Sequence, residues 1–347
     1  MQTKSNNPHA WYLSDLDKVP QNNLKVFSTF ACGGGSTMGY KLAGYDVVGA
    51  NDIDPQMRQH YEANLHPKLF IEAPVLDLAT IDLPDELFNL DVLDGSPPCS
   101  TFSMAGSREK VWGKEKHFRE GQAVQVLDDL FFDFLTVAER LRPKVVVAEN
   151  VKGMIAGNAK GYVRAVCDVL KAAGYTPQVF LINAAYCGVP QRRERVFICA
   201  VRNDVSTKKL TIKTNQKTIT FNQATTDCSS ATNRWLDKKT TQYKYWRLTP
   251  IGKNFTSADN IIRGKKSFFN SAKINPNKPV MTITSGGGMF HYKEPRHIND
   301  AEFVRLGSFP DDYQFHAKGM AKYLIGMSVP PKMMQVVAEA IRDQWLT

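Results

Sequence analysis

From Leu24 to about Arg202, short apolar runs alternate with stretches of helical period, which restricts the chain to an α/β fold. Helices that cover both faces of a parallel sheet leave its strands continuously apolar. Strands are predicted at Leu24–Phe30, Asp46–Ala50, Val75–Leu78, Leu90–Leu93, Lys144–Ala148, Val179–Ala184 and Val196–Val201. Helices are predicted after the glycine turn at Gly35, over Val124–Arg140, from about Tyr162 to Ala173, and over Pro331–Trp345. The last carries Met334, Val337, Ala338 and Ile341 on one face. The fold class expected is α/β: a doubly wound, mostly parallel sheet. Beyond Arg202 no clear period continues, and the Thr-, Lys-, Asn- and Gly-rich stretch reads as short strands and loops of a second, smaller domain. The division expected is residues 1–203, completed by a C-terminal helix in 319–347, and residues 204–318 with a flexible turn at Thr282–Gly288.

Open α/β sheets bind ligands beyond the carboxyl ends of their strands. The first strand ends in Ala31-Cys-Gly-Gly-Gly35-Ser-Thr-Met-Gly39. Counted from Gly33, the sixth position is Met38, so the dinucleotide fingerprint fails, and a nucleotide-like ligand lacking a pyrophosphate remains open. Asp52 follows the second strand within Asn51-Asp-Ile-Asp54, and Asp77 ends the third. Either acid alone reads as a helix cap; after a glycine turn, the two together suggest a ribose and adenine site. The next strand runs into Asp94-Gly-Ser-Pro-Pro-Cys99-Ser-Thr-Phe-Ser103. Paired prolines fix φ and hold Cys99 on a stiff support. Its thiol is a nucleophile candidate, against the alternative of a small buried apolar residue. Glu149-Asn-Val151 ends another strand, and Gly188-Val-Pro-Gln-Arg-Arg-Glu-Arg195 joins the last pair. The polar stretch to Gln122, with Arg108, Lys110, Lys114, Lys116 and Arg119, is long enough for a lid.

The six cysteines contain no Cys-x-x-Cys pair, so neither zinc nor a redox motif is suggested and a reducing, cytoplasmic setting is expected. No apolar run reaches the length of a membrane span, and residues 1–23 lack the apolar core of a signal peptide. The formal charge of +10 is concentrated: residues 204–278 hold 15 Lys and Arg against 4 Asp and Glu. Trp235, Tyr243, Tyr245, Trp246 and Phe255 are interleaved there. A basic, aromatic segment favours a polyanion over a merely solvated face.

In this order, Phe30-Ala-Cys-Gly-Gly-Gly35, Asp52, Asp77, Pro97-Pro-Cys99, Glu149-Asn-Val151 and Gln191-Arg-Arg-Glu-Arg195 resemble the motifs of the cytosine-5 DNA methyltransferases, of bacterial or phage modification type. Arg296 to Glu302 and Gly326-Met-Ser-Val329 resemble the two late motifs. The resemblance covers nearly the full chain. It implies a Rossmann-like methyltransferase domain, a target-recognition domain, and S-adenosyl-L-methionine as cofactor, leaving as S-adenosyl-L-homocysteine with no metal. It also implies double-stranded DNA as partner, a monomer, and a cognate restriction endonuclease acting separately. By the same resemblance Cys99 adds to carbon 6 of a flipped cytosine, Glu149 serves the ring N3, Arg195 holds O2, and Arg193 supports the nucleophile end. Phe30 stacks on the adenine, Gly34 and Gly35 abut the methionine moiety, and Asp52 takes the ribose. Ile53, Asp77 and Leu78 flank the adenine; Pro98, Leu130 and Val329 line the pocket. Ser100 and Ser103 lie near the phosphates.

The chain departs from the family pattern at Cys32, usually glycine and a mild change if its φ is negative, and at Ile53, often aromatic. Met327 replaces an Asn; Asn299 and Ala301 replace a Thr and an Arg. The alternatives are the same chemistry on structured RNA and a non-catalytic DNA-binding relative.

Overall fold

A computed structural model describes residues 5–98, 115–116, 125–126, 129–267, 270–286, 288–317 and 319–347. The main sheet has seven strands: β1 (Lys25–Thr29), β2 (Asp46–Asp52), β3 (Phe70–Glu72), β4 (Val92–Gly95), β5 (Val145–Val151), β6 (Tyr175–Asn183) and β7 (Glu194–Arg202). Their order is β3-β2-β1-β4-β5-β7-β6, parallel except for β7, which runs antiparallel between β5 and β6. The direction of winding reverses between β1 and β4. That is the topological switch point where such sheets form a crevice, and the glycine turn and the Pro-Pro-Cys stretch leave these two strands.

Alternate residues of each strand feed opposite cores, which is why the strands read as unbroken apolar runs. Phe27, Val48, Leu93, Val146 and Ile198 face α3 (Leu130–Leu141) and α4 (Lys160–Ala172). Val26, Val47, Val92, Val147 and Phe197 face α1 (Gly35–Leu42) and the C-terminal helix Pro331–Trp345. That helix buries Met334, Val337, Ala338 and Ile341, the predicted face. It lies so close to α1 that a Cβ on Gly39 would sit 2.4 Å from the Met334 Cβ.

Val75–Ala79, expected as a strand, is a 3-10 turn. Pro74 caps it, and Val75 and Leu78, three apart, are its buried residues, a spacing that serves a helical turn and not a pleat. Helix α3 starts at Leu130, later than predicted, because Gln125–Val126 pairs antiparallel with Glu115–Lys116.

Helix α2 (Pro55–Leu65) gives Met57, Tyr61 and Leu65 to a third core, shared with Phe221, Phe303, Leu306, Phe309 and Leu324. The basic segment, expected as strands and loops, contains three short helices: α5 (Phe221–Thr225), α6 (Thr241–Leu248) and α7 (Thr256–Arg263). Two turns are too few for a period to show in sequence; capping marks these helices instead. Thr240 Oγ1 accepts from Tyr243 N, and Gly264 ends α7 with φ +65°. Tyr245, Phe255, Ala258 and Phe290 form a separate small core here. Leu210, by contrast, is buried in the core of the C-terminal helix, and Trp345 Nε1 donates to Lys208 O at 2.8 Å. Ile212 packs against the same core.

Helices α8 (Asp300–Leu306) and α9 (Met320–Met327) precede the C-terminal helix, here α10. Arg296 forms a bidentate pair with Glu302 (2.8 and 2.9 Å). Asn299 caps α8 through Glu302 N and donates to Ser229 O and Asn233 Oδ1 at 3.0 and 2.8 Å. Asn in place of Thr thus both caps the helix and ties the basic segment to it.

Candidate active site

The C-terminal edge of β1, β2, β4 and β5 gathers the predicted groups. Near the end of β5, Asn150 is buried and its Nδ2 donates to Pro97 O at 3.1 Å. This bond locks the Glu-Asn-Val strand end to the proline pair. Sequence reading did not single out Asn150; an amide beside the candidate acid Glu149 was the available signal. Cys99 itself lies outside the described residues, as do Ser100, Ser103 and all of the predicted lid except Glu115–Lys116.

Glu149 is buried, and Arg195 at the start of β7 approaches it, Nε to Oε1, at 2.9 Å. The contact is that of an ion pair, and Oε1 accepts no further hydrogen bond among the described residues. Burial lowers the Arg195 pKa and the Glu149 charge opposes that shift. The structure therefore brings Glu149, Arg195 and the Pro-Pro stretch together.

Arg193 stands apart in kind. It is 2 % exposed, and its Nη1 donates to Ile283 O and Gly326 O at 3.0 and 3.1 Å. Burial, then repulsion from Arg195, pushes its pKa down. Its guanidinium clamps two late segments behind the site. Gln191 does the same nearby, with Oε1 accepting from Ile283 N and Nε2 donating to Leu306 O.

The glycine turn is folded tightly. Gly34 has φ +77°, and a Cβ on Gly35 would meet Val329 O at 2.1 Å. Phe30 and Cys32 are also left-handed, at φ +51° and +48°. The condition under which Cys32 would be a mild change, a negative φ, is therefore not met. What holds it is Asp52, whose Oδ2 accepts from Cys32 N at 2.7 Å, offsetting a strain of about 1–2 kcal/mol. Cys32→Gly should accordingly be more stable than Cys32→Ala by roughly 1 kcal/mol, measured by urea unfolding. Equal stabilities would contradict the left-handed conformation.

Asp52 Oδ1 also accepts from Asp54 N at 2.9 Å, yet burial raises its pKa to about 6. Asp54 is spent as the cap of α2, accepting from Gln56 N. Asp77 is exposed on its turn, which Arg140 fastens by donating to Leu78 O at 2.7 Å. Leu78, Leu130 and Val329 are buried, whereas Phe30, Ile53 and Pro98 are half-buried around the crevice. Met327, by contrast, is exposed at the end of α9.

A buried acid that sequence reading left aside, Asp94, lies beneath. It accepts from Ser28 Oγ at 2.9 Å, and burial raises its pKa to about 7.

A family model described as C-5 cytosine-specific DNA methylase matches residues 24–343. The type II methyltransferase M.NgoFVII of Neisseria gonorrhoeae is 29% identical over 342 residues, spanning 92% of this chain and 87% of its own. M.Eco47II of Escherichia coli is 28% identical over 356 residues, spanning 94% and 81%. Among solved structures, the S. pombe Dnmt2 methyltransferase superposes with a TM-score of 0.61 at 17% identity, covering 93% of this chain and 99% of that one. A protein described as a prophage-encoded DNA modification methyltransferase of E. coli gives 0.66 at 20% identity, covering 92% and 99%. The structural likenesses establish the fold.

Proposed function

Because the chain belongs to the C-5 cytosine-specific DNA methylase family and is a DNA (cytosine-5-)-methyltransferase, we propose that it modifies a flipped-out cytosine in a specific duplex sequence through a covalent bond to Cys99. The observation that carries this reading is the buried Glu149 Oε1, close to Arg195 but lacking a hydrogen bond among the described residues, beside the anchored proline pair.

Carbon 5 of cytosine is a weak nucleophile until a thiolate adds at carbon 6. Cys99 supplies that thiolate. Glu149 shares a proton with N3, so the charge that develops on addition is neutralised at the ring. Arg195 holds O2 and keeps the Glu149 carboxyl facing the base. Carbon 5 then takes the methyl, and loss of its proton expels Cys99 and restores the ring. None of these atoms is reachable in a stacked duplex, so the base must leave the helix.

S-adenosylmethionine, when bound, supplies a methyl group activated by positively charged sulfur. The crevice suits it: the glycine turn leaves no room for side chains, and Asp52 offers a half-buried acceptor beside Ile53 and Leu78. Ribose hydroxyls donate to an ionised carboxylate, so binding requires Asp52 to lose its proton. Affinity should be flat above pH 7 and fall as pH drops through about 6, by up to about tenfold per unit, in calorimetric titrations. For the folded protein the raised pKa has the opposite sense: its stabilising effect is complete below the unfolded value and is lost as pH rises through about 6. Asp52→Asn should bind more weakly and without that pH dependence. A pH profile unchanged in the variant would remove Asp52 from the ribose contact.

The recognition domain proposed lies within residues 204–318 and meets the DNA with its net positive charge. Changing Lys238 with Lys239, or Lys265 with Lys266, all exposed, should flatten the salt dependence of DNA affinity. Each lost phosphate contact lowers the slope by about 0.9. Unchanged slopes in both pairs would move the footprint elsewhere.

The reading extends to a monomer acting beside a separately acting cognate restriction endonuclease. It is tested by incubation with radiolabelled S-adenosylmethionine and unmethylated DNA: label should appear as 5-methylcytosine, and 5-fluorocytosine in the DNA should trap a covalent adduct. Label in transfer RNA alone would favour the RNA alternative.

A further inference from the structure

Helix α7 turns most of its length outward from the small core. Phe255, Ala258 and Asp259 face inward, whereas Asn260 and Ile261 are exposed, Ile261 at 68 %. Ser257, Asn260 and Ile261 fall three and four residues apart and therefore share one face. An isoleucine this exposed, followed by Ile262 at 38 %, contributes nothing to the core behind it. Lys253 lies before the helix, Lys265 and Lys266 directly after it, and all three are exposed.

The helix and the loop after it are held as one unit by Asp259, which is fully buried. Its carboxylate accepts from Tyr245 OH and Arg263 Nε, each at 2.6 Å, and from Ser267 N at 2.8 Å. Gly264, with φ +65° and open space where a Cβ would be, turns the chain between them. Thr256 Oγ1 closes the loop by donating to Ser267 O at 2.9 Å. Three residues beyond Ser267, Asn270 lines a cleft of about 460 Å³ with Arg192, Glu194, Met281 and Thr282. Arg192 and Glu194 alternate in sequence with Arg193 and Arg195, and along an extended chain such neighbours face opposite sides.

Resting on the function proposed above, we propose that α7 is the element that reads base edges in the major groove, with Asn260 and Ile261 as its specificity-determining side chains. A helix fits that groove, which is about 12 Å wide. An Asn amide pairs bidentately with adenine N6 and N7, and an apolar side chain meets the thymine methyl group. Lys253, Lys265 and Lys266 stand where they can take the flanking phosphates, which position but do not specify. Bracing through Asp259 keeps the helix from losing freedom on binding. The target sequence should therefore contain at least one A·T pair besides the methylated C·G pair.

The test is methylation-sensitive sequencing of DNA exposed to the wild-type protein, to the double variant Asn260→Ala, Ile261→Ala, and to Lys265→Ala, Lys266→Ala. The first variant should lower the rate at wild-type sites about tenfold or more and relax discrimination at the A·T pair, with S-adenosylmethionine affinity and salt slope unchanged. The lysine variant should weaken binding to all sequences alike and keep the wild-type site. A target built of G·C pairs alone would overturn the proposal, as would a double variant with the wild-type sequence profile and rate. If the wild-type protein methylates no DNA, the underlying reading fails and this inference falls with it.

Discussion

Cys99→Ser should abolish methyl transfer, with a loss of at least about a thousandfold in single-turnover rate, while S-adenosylmethionine and DNA affinities stay close to wild type. A serine hydroxyl is hardly ionised at neutral pH and is a far weaker nucleophile than a thiolate. The bond from Asn150 Nδ2 to Pro97 O holds the end of the preceding segment, so the variant should fold normally. Retained turnover in rapid-quench measurements would remove the covalent mechanism from the reading. The trapped adduct with 5-fluorocytosine supplies the matching positive result, because fluorine blocks the final loss of a proton from carbon 5.

Arg193→Met should cost about 2–5 kcal/mol of stability. The guanidinium donates to the Ile283 and Gly326 carbonyls inside the protein, and losing both bonds strands two buried acceptors at roughly 1–3 kcal/mol each. Relief of desolvating a charge partly offsets this. Denaturant unfolding measures it, and a variant within 0.5 kcal/mol of wild type would contradict the clamp. A second consequence follows from the clamp: saturating substrate should restore much of the rate in Arg193→Met at low temperature, because its Nη1 bonds are to backbone carbonyls. Glu149→Gln lacks this rescue, since the amide cannot give up a proton to N3.

The elements legible in the sequence were those whose cause is local. β5 and α10 declare themselves because each residue's burial follows from its own period: every position in Val145–Ala148 is buried, and α10 buries the residues at helical spacing. That Glu149, Arg195 and Asp52 sit at strand ends was legible as well, because these strands show in their own apolar runs. The misreadings share one origin. Val75–Ala79 is a 3-10 turn because Pro74 and the packing of Val75 and Leu78 decide it, and four residues cannot show which period they obey. The two-turn helices α6 and α7 depend on Thr240 and Gly264 at their ends and on the small core behind them.

Cys32 and Arg193 mark the limit most clearly. Residue identity alone determined that a thiol replaces a glycine and that an arginine accompanies Arg195. Only the tertiary structure decided that Cys32 is left-handed, held by an aspartate 20 residues later, and that Arg193 bonds to carbonyls 90 and 133 residues away. Propensity and periodicity act within a few residues, so the sequence by itself determined the α/β alternation, the basic segment and the order of the reactive groups. Pairings across the sheet and between the late segments form only when distant chain is brought together; they decided which of those groups meet at the strand ends and which brace the fold.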